Sequence, residues 1–182
     1  MAICSEFLTA ESACLGRAQH GMLHNSNEKQ GLGRIVSEKT KILFLCTGNS
    51  CRSQMAEGWA RSLKFEEIEA FSAGIVAHGL NQVAVQVMAE AGVDIGQHRS
   101  KRLNQLGNLT FDYVVTVCAD ADEKCPVLSG DTKVVHHGFD DPPRLAATVR
   151  TDEDATDIYR RVRDEIRDYV ETLPEALHEV GS

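Results

Sequence analysis

The rhythm of hydrophobic and polar positions changes at Lys41. Residues 1 to 39 show neither a helical nor a strand period, and "HNSNEKQGLGR" reads as a polar tail or linker. This stretch is expected to be a disordered extension, or to precede a true start at Met22. Gly31 and Gly33 make no dinucleotide fingerprint, because no strand leads into them. From Lys41 onward "KILFL" is a short apolar strand, and in "RSQMAEGWARSLK" Met55, Trp59 and Leu63 fall on one helical face. A second strand is predicted near "EIEAFSAG". A helix follows, with Asn81 as N-cap, Val83, Val87 and Met88 on its apolar side, and Gly92 as C-terminal stop. "FDYVVTVC" reads as a third, buried strand and "KVVHH" as a shorter fourth. The last helix starts near Thr151, with Asp152, Glu153 and Asp154 at the positive end of its dipole. It carries Ile158, Val162, Ile166 and Val170 at four-residue steps and is expected to end at Pro174.

Strands alternating with helices predict an α/β fold of three layers, a four-stranded parallel sheet with helices on both faces, filling residues 40–182 as one domain. Ligands bind such sheets outside the carboxyl ends of the strands, where Cys46, Cys118 and the loop after "KVVHH" fall. A net charge of −8 argues against a basic face for nucleic acid or anionic membrane, so any anion site must be local. Glu6 sits where a secretory leader would be basic, and no window is apolar enough to span a bilayer. A cytoplasmic protein is therefore expected, and paired thiols there serve catalysis or metals more often than structure. Six are present: Cys4, Cys14, Cys46, Cys51, Cys118 and Cys125.

The chemistry concentrates in "CTGNSCRS". Gly48 and Asn49 tolerate the unusual dihedrals that turn backbone N–H groups inward, so Thr47, Gly48, Asn49, Ser50, Cys51, Arg52 and Ser53 are candidates for an anion nest. The following helix adds the positive end of its dipole, and Arg52 a bidentate fork for a tetrahedral oxyanion. Surroundings of this kind favour a thiolate. Cys46 thus reads as a nucleophile aimed at a bound oxyanion, with Cys51 in an ancillary loop position.

On "CTGNSCRSQMAEGW", "SAGI", "VVTVCADADEKCP" and "GFDDP", in that order, the chain resembles the low-molecular-weight tyrosine phosphatases and, within that fold, the thioredoxin-coupled arsenate reductases, from about Lys41 to about Leu173. The resemblance implies Cys46 as nucleophile, Arg52 and the loop amides as oxyanion ligands, Ser53 as donor to the Cys46 thiolate, and Asp141 as general acid. By itself the Asp-Pro step after Asp140 is an ordinary turn signal. The implied activity is reduction of arsenate to arsenite by a monomer, with Cys118 and Cys125 as a redox-active disulfide regenerated by thioredoxin.

A phosphatase needs only a nucleophile, an anion cradle and an acid, whereas a reductase must also supply two electrons. Spacing alone leaves Cys118 and Cys125 open to other readings, a core cysteine beside a surface one or half of a zinc site. Six residues between them exceed the usual zinc spacing, and the adjacent His136 and His137 would point oppositely on a strand, so no metal is assigned. If "DADEKC" is helical, the two cysteines lie about 10 Å apart and the segment must unwind before they can bond. After Asp141 the chain reads "PPRLA", without the tyrosines that line an aryl pocket in many phosphatases of this fold. Two alternatives remain: a phosphatase, and a non-enzymatic oxyanion-binding or redox-sensing module.

No tightly bound cofactor is expected. Many of the reductases hold a potassium ion through an asparagine, a glutamate and a serine, matched here by Asn49, Glu57 and Ser72. Arg99 and Lys101 stand where the resemblance expects a threonine and an aspartate, which suggests that the Lys101 ammonium lies at the ion's position. The role of Cys4 and Cys14 is not implied by the resemblance.

Overall fold

The structure is a computed structural model that describes residues 38–123 and 130–179. Cys4, Cys14 and Cys125, and nearly all of the amino-terminal extension, lie outside the described residues. Four parallel strands form one sheet in the order β2-β1-β3-β4, with β1 at Thr40–Cys46, β2 at Ile68–Gly74, β3 at Tyr113–Thr116 and β4 at Lys133–His136. All four expected strands are present, and the α/β class is as predicted. Neighbouring strand residues point to opposite faces. Ile42, Leu43, Phe44, Leu45 and Cys46 are all buried, so β1 is covered on both sides. β4 is an edge strand and largely exposed, including Val134.

Helix α1 spans Arg52–Leu63, α2 Gln82–Glu90, α3 Ala119–Glu123, α4 Pro142–Ala146, α5 Asp152–Glu171 and α6 Glu175–Glu179, with a 3-10 turn at Leu103–Leu106. Asn81 caps α2 by accepting from the Ala84 N–H at 2.9 Å, and Gly92 follows the helix with φ +82°. Thr151 caps α5 in the same way, accepting from Asp154 N–H at 3.0 Å, and Tyr159, Val162, Ile166 and Val170 form its buried stripe. Ile158 is thus not part of that stripe, which Tyr159 opens instead. The 3-10 turn, α4 and α6 were not anticipated.

Helix α1 departs from a one-sided pattern. Every residue from Ser53 to Ala60 is buried, while Leu63, expected on the face of Met55 and Trp59, is 40% exposed at the helix end. The polar residues Ser53, Gln54 and Glu57 are therefore inside the protein and need partners. Among the described residues no helix is long and apolar enough to cross a membrane.

Candidate active site

Cys46 ends β1, and the loop Thr47–Cys51 carries the chain into α1. Asn49 has φ +45°, a conformation asparagine tolerates, and its backbone N–H donates to Cys46 Sγ at 3.0 Å. Gly48 differs from expectation: its φ is not in the left-handed region, and its need is space, since a Cβ there would come within 2.7 Å of His78 Nδ1. Backbone bonds from His78 N to Gly48 O (3.0 Å), Val76 N to Thr47 O (2.9 Å) and Asn81 N to Ser50 O (2.9 Å) bind the loop to the segment after β2.

Side chains complete the framework. Ser53 Oγ lies 2.9 Å from Cys46 Sγ. Asn49 Nδ2 donates to Ser53 Oγ at 3.0 Å and to Ser72 Oγ at 2.9 Å, and Ser72 donates to Glu57 Oε2. The amide of Asn49 is fixed in this orientation, because its Oδ1 accepts from the Lys101 N–H (2.8 Å) and from Gln54 Nε2 (2.9 Å). Ser53 accepts from an N–H that can only donate, which leaves its own proton for Cys46 Sγ. Two donors therefore converge on the sulfur.

Gln54, His98 and Ser100 join the site without a signal in the sequence. Gln54 bridges Asn49 O, Asn49 Oδ1 and Arg99 O, His98 Nδ1 lies 3.0 Å from Gln54 Oε1, and Ser100 Oγ donates to Gly48 O at 3.1 Å. Burial holds the His98 imidazole below its ordinary pKa. Asn81, expected only as a cap, also donates through Nδ2 to Tyr159 Oη at 3.1 Å, so one residue ties the loop to α2 and α5.

Arg52 is the first residue of α1, whose N-cap, Cys51, makes no side-chain bond. Its guanidinium donates to Phe139 O at 3.0 Å and lies 3.4 Å from Asp141 Oδ1. Asp141 is the N-cap of α4 but makes no capping bond, so its carboxylate is turned to Arg52 rather than to its own helix. The neighbouring Asp140 pairs with Arg161 on the surface at 2.9 Å. The structure thus separates the two aspartates that the sequence left adjacent. Desolvation pushes the thiol of buried Cys51 far above the usual cysteine range, which keeps it protonated at neutral pH.

Cys118 follows β3 and is buried, with its Sγ 3.4 Å from Thr47 Oγ1. The site thus brings together Cys46, Thr47 to Ser53, Cys118 and Asp141, while Cys125 lies outside the described residues. His136 and His137 diverge, as their adjacency predicts. His136 Nδ1 lies 2.9 Å from Thr116 Oγ1, and His137 stacks on Tyr169.

A buried cysteine at a strand end, a loop whose Asn49 amide turns to its sulfur, an arginine at the helix start and a facing aspartate define an α/β protein built around a cysteine. Residues 41–181 match the low molecular weight phosphotyrosine protein phosphatase family, and the chain belongs to it. It is similar to an arsenate reductase of Halalkalibacterium halodurans, 46% identical over 75% of this chain and 96% of that one. An arsenate reductase of Bacillus subtilis is 49% identical over 71% of this chain and 91% of its own. Among solved structures, an arsenate reductase in the reduced state superposes with a TM-score of 0.57 at 26% identity, covering 76% of this chain and 98% of that one. The fold is not confined to reductases: an arginine phosphatase from Geobacillus stearothermophilus gives a TM-score of 0.59 at 25% identity, covering 77% and 94%.

Proposed function

We propose that the protein is an arsenate reductase that acts as a monomer in the cytoplasm and draws its electrons from a thioredoxin. The observation that carries this reading is the second thiol beside the nucleophile loop, Cys118 Sγ at 3.4 Å from Thr47 Oγ1. Phosphate ester hydrolysis has no use for it. The 46% and 49% identical relatives bearing the name arsenate reductase support the same substrate.

In the proposed reaction, arsenate sits on the amides of Thr47 to Ser53 with Arg52 pairing its oxygens. Cys46 thiolate attacks arsenic, an oxygen departs as water with a proton from Asp141, and a sulfur–arsenic bond forms. Cys118 thiolate then attacks Cys46 Sγ. The sulfur–arsenic bond breaks with its electron pair moving to arsenic, so As(V) becomes As(III), arsenite leaves, and a Cys46–Cys118 disulfide remains. Cys125 attacks Cys118 and frees Cys46, and the thioredoxin dithiol reduces the resulting Cys118–Cys125 disulfide. Helix α3 covers Ala119–Glu123; a helix continued as far as Cys125 would hold the two Cα atoms about 10 Å apart, beyond the roughly 7 Å that a disulfide tolerates, and would have to unwind to close the bond.

Arsenate-dependent NADPH oxidation with thioredoxin and its reductase tests the reading, beside Cys46→Ser and Cys125→Ser. Turnover lost in both variants, with a trapped Cys46–Cys118 crosslink in Cys125→Ser, is the expected result. Hydrolysis of nitrophenyl phosphate that needs Cys46 but not Cys125, with no arsenate turnover, would make the protein a phosphatase. Tight arsenate binding without either turnover would leave a binding module.

A further inference from the structure

The buried carboxylate of Glu57 lies at the far end of the chain of bonds that reaches Cys46. Its side chain is 3% exposed, and its two oxygens meet three donors: Arg61 on Oε1 at 2.6 Å, Lys101 Nζ on Oε2 at 3.4 Å, and Ser72 Oγ also on Oε2. A buried carboxylate needs compensating charge to remain ionised. Potassium ligation by Asn49, Glu57 and Ser72, which the family resemblance implies, requires free oxygen lone pairs on these residues. Here they are engaged. Asn49 Oδ1 accepts from Lys101 N–H and Gln54, and Asn49 turns N–H groups, not an oxygen, toward Ser72. Ser72 Oγ accepts from Asn49 and donates to Glu57. Among the described residues no buried side-chain nitrogen or oxygen lacks a partner, so the cluster is complete as it stands. A further cation would also face two fixed ones, Arg61 and Lys101. The residues present do not fit the ion.

We infer that the ammonium of Lys101 replaces that ion as a built-in counter-cation, making Lys101 a positioning residue for the nucleophile loop and the protein indifferent to potassium. Lys101 holds the network at two points. Its backbone N–H fixes the Asn49 amide and its ammonium neutralises Glu57, to which Asn49 is joined through Ser72. Arg61 cannot take over this role from its place, since it binds the other carboxylate oxygen and Ala70 O. Removing the ammonium would leave Glu57 Oε2 short of positive charge, and a monovalent cation would then have a reason to bind at that oxygen in the ammonium's place, without calling on the engaged oxygens of Asn49 and Ser72.

The test compares thermal melting and arsenate turnover of the full chain in potassium, sodium and tetramethylammonium chloride at equal ionic strength. Wild type should show the same melting temperature and rate in all three. Lys101→Met, which keeps the aliphatic stem, should melt roughly 3 °C or more lower in tetramethylammonium and regain that loss in potassium. Its turnover should fall roughly tenfold and recover with potassium, whereas Lys101→Arg should remain indifferent to salt. Potassium that raises the wild-type melting temperature or rate would overturn the inference. So would a Lys101→Met protein that matches wild type in every salt by both readouts. Should Lys101→Met fail to fold, Lys101→Gln serves in its place. The turnover readout rests on the reductase reading and the melting readout does not, so a protein inactive on arsenate still decides the role of Lys101.

Discussion

Gly74 ends β2 directly beside Cys46, its register partner, and the close fit there allows a worked prediction. A Cβ at this position would lie 2.2 Å from Val76 O, 2.8 Å from Asn49 N and 2.9 Å from Thr47 O. Ordinary contacts begin near 3.4 Å, so the nearest one falls 1.2 Å short, and all three atoms are backbone that cannot swing away. Relief requires moving either Val76, which bonds Thr47 O through its N–H at 2.9 Å, or the loop, which removes Asn49 N from Cys46 Sγ. Losing one or two such bonds costs about 1 kcal/mol each, and overpacking adds about 1–3 kcal/mol. Gly74→Ala is therefore expected to destabilise the protein by roughly 3 kcal/mol, a fall in melting temperature of roughly 6–12 °C. A loop displaced by about 1 Å should also cost on the order of 100-fold in turnover. Scanning calorimetry and steady-state arsenate reduction measure the two effects. Gly92→Ala supplies the control: its φ of +82° carries a strain of about 1–2 kcal/mol, but nothing lies within 4 Å of the new methyl, so turnover should not change. A Gly74→Ala protein that melts with wild type and reduces arsenate at the same rate would refute the claim that Gly74 exists to let the loop approach.

Cys51→Ala should retain turnover within about threefold and lose about 1 kcal/mol of stability, because the buried thiol stays protonated and only fills space; a hundredfold loss of activity would instead give it a chemical role. Thr116 Oγ1 donates to Asp122 Oδ1 at 2.9 Å and so pins α3 to the end of β3. Thr116→Val should speed hydrogen exchange of residues 119–123 in the reduced protein roughly fivefold, and unchanged protection would show that other contacts hold the helix. Glu90 is exposed but bonded to Arg160, which holds its carboxyl down to about 2 from 4.5. A depressed acid contributes stability above its unfolded value. Any advantage of wild type over Arg160→Gln should thus be present above about pH 4.5 and disappear as pH falls toward 2, as followed by melting temperature; an advantage that persists at pH 2 would place its source elsewhere.

Much of the fold was legible because parallel strands buried on both faces read as unbroken apolar runs, as in Ile42 to Leu45, and because Asn81, Gly92 and Thr151 mark helix ends by local chemistry. The five-residue helices α4 and α6 are too short to show a period, and "PPRLA" looks like a turn from its prolines alone. Periodicity also misjudged α1. It assumes that one face meets solvent, whereas Ser53 to Ala60 are enclosed on all sides, and this burial is what turns Gln54 and Glu57 from surface residues into supports of the loop. The loop was legible as a local motif. Most contacts that hold it were not, since Ser100 and His98 come from about 50 residues away, and Lys101 stood out only through the family resemblance.

The decisive juxtaposition, one thiol beside another's loop, depends on strand order, which no local pattern contains. β1 and β3 are neighbours, with Leu45 paired to Thr116, and the Val117 N–H still donates to Leu45 O at 2.9 Å just past the strand. Two steps further along each chain lie Thr47 and Cys118, which is where the 3.4 Å contact occurs. Parallel register therefore places a residue just past β3 at the mouth of a loop that starts just past β1. A cysteine at that point meets the nucleophile's loop without any change to the loop itself. One at the end of β4 would be separated from it by the whole of β3, because β4 pairs only with β3 in this sheet. On the proposed reading, the step from ester hydrolysis to arsenate reduction lies in thiols added outside the loop, the first of them at the carboxyl end of the adjacent strand, while the loop, Arg52 and Asp141 would keep the roles proposed for them.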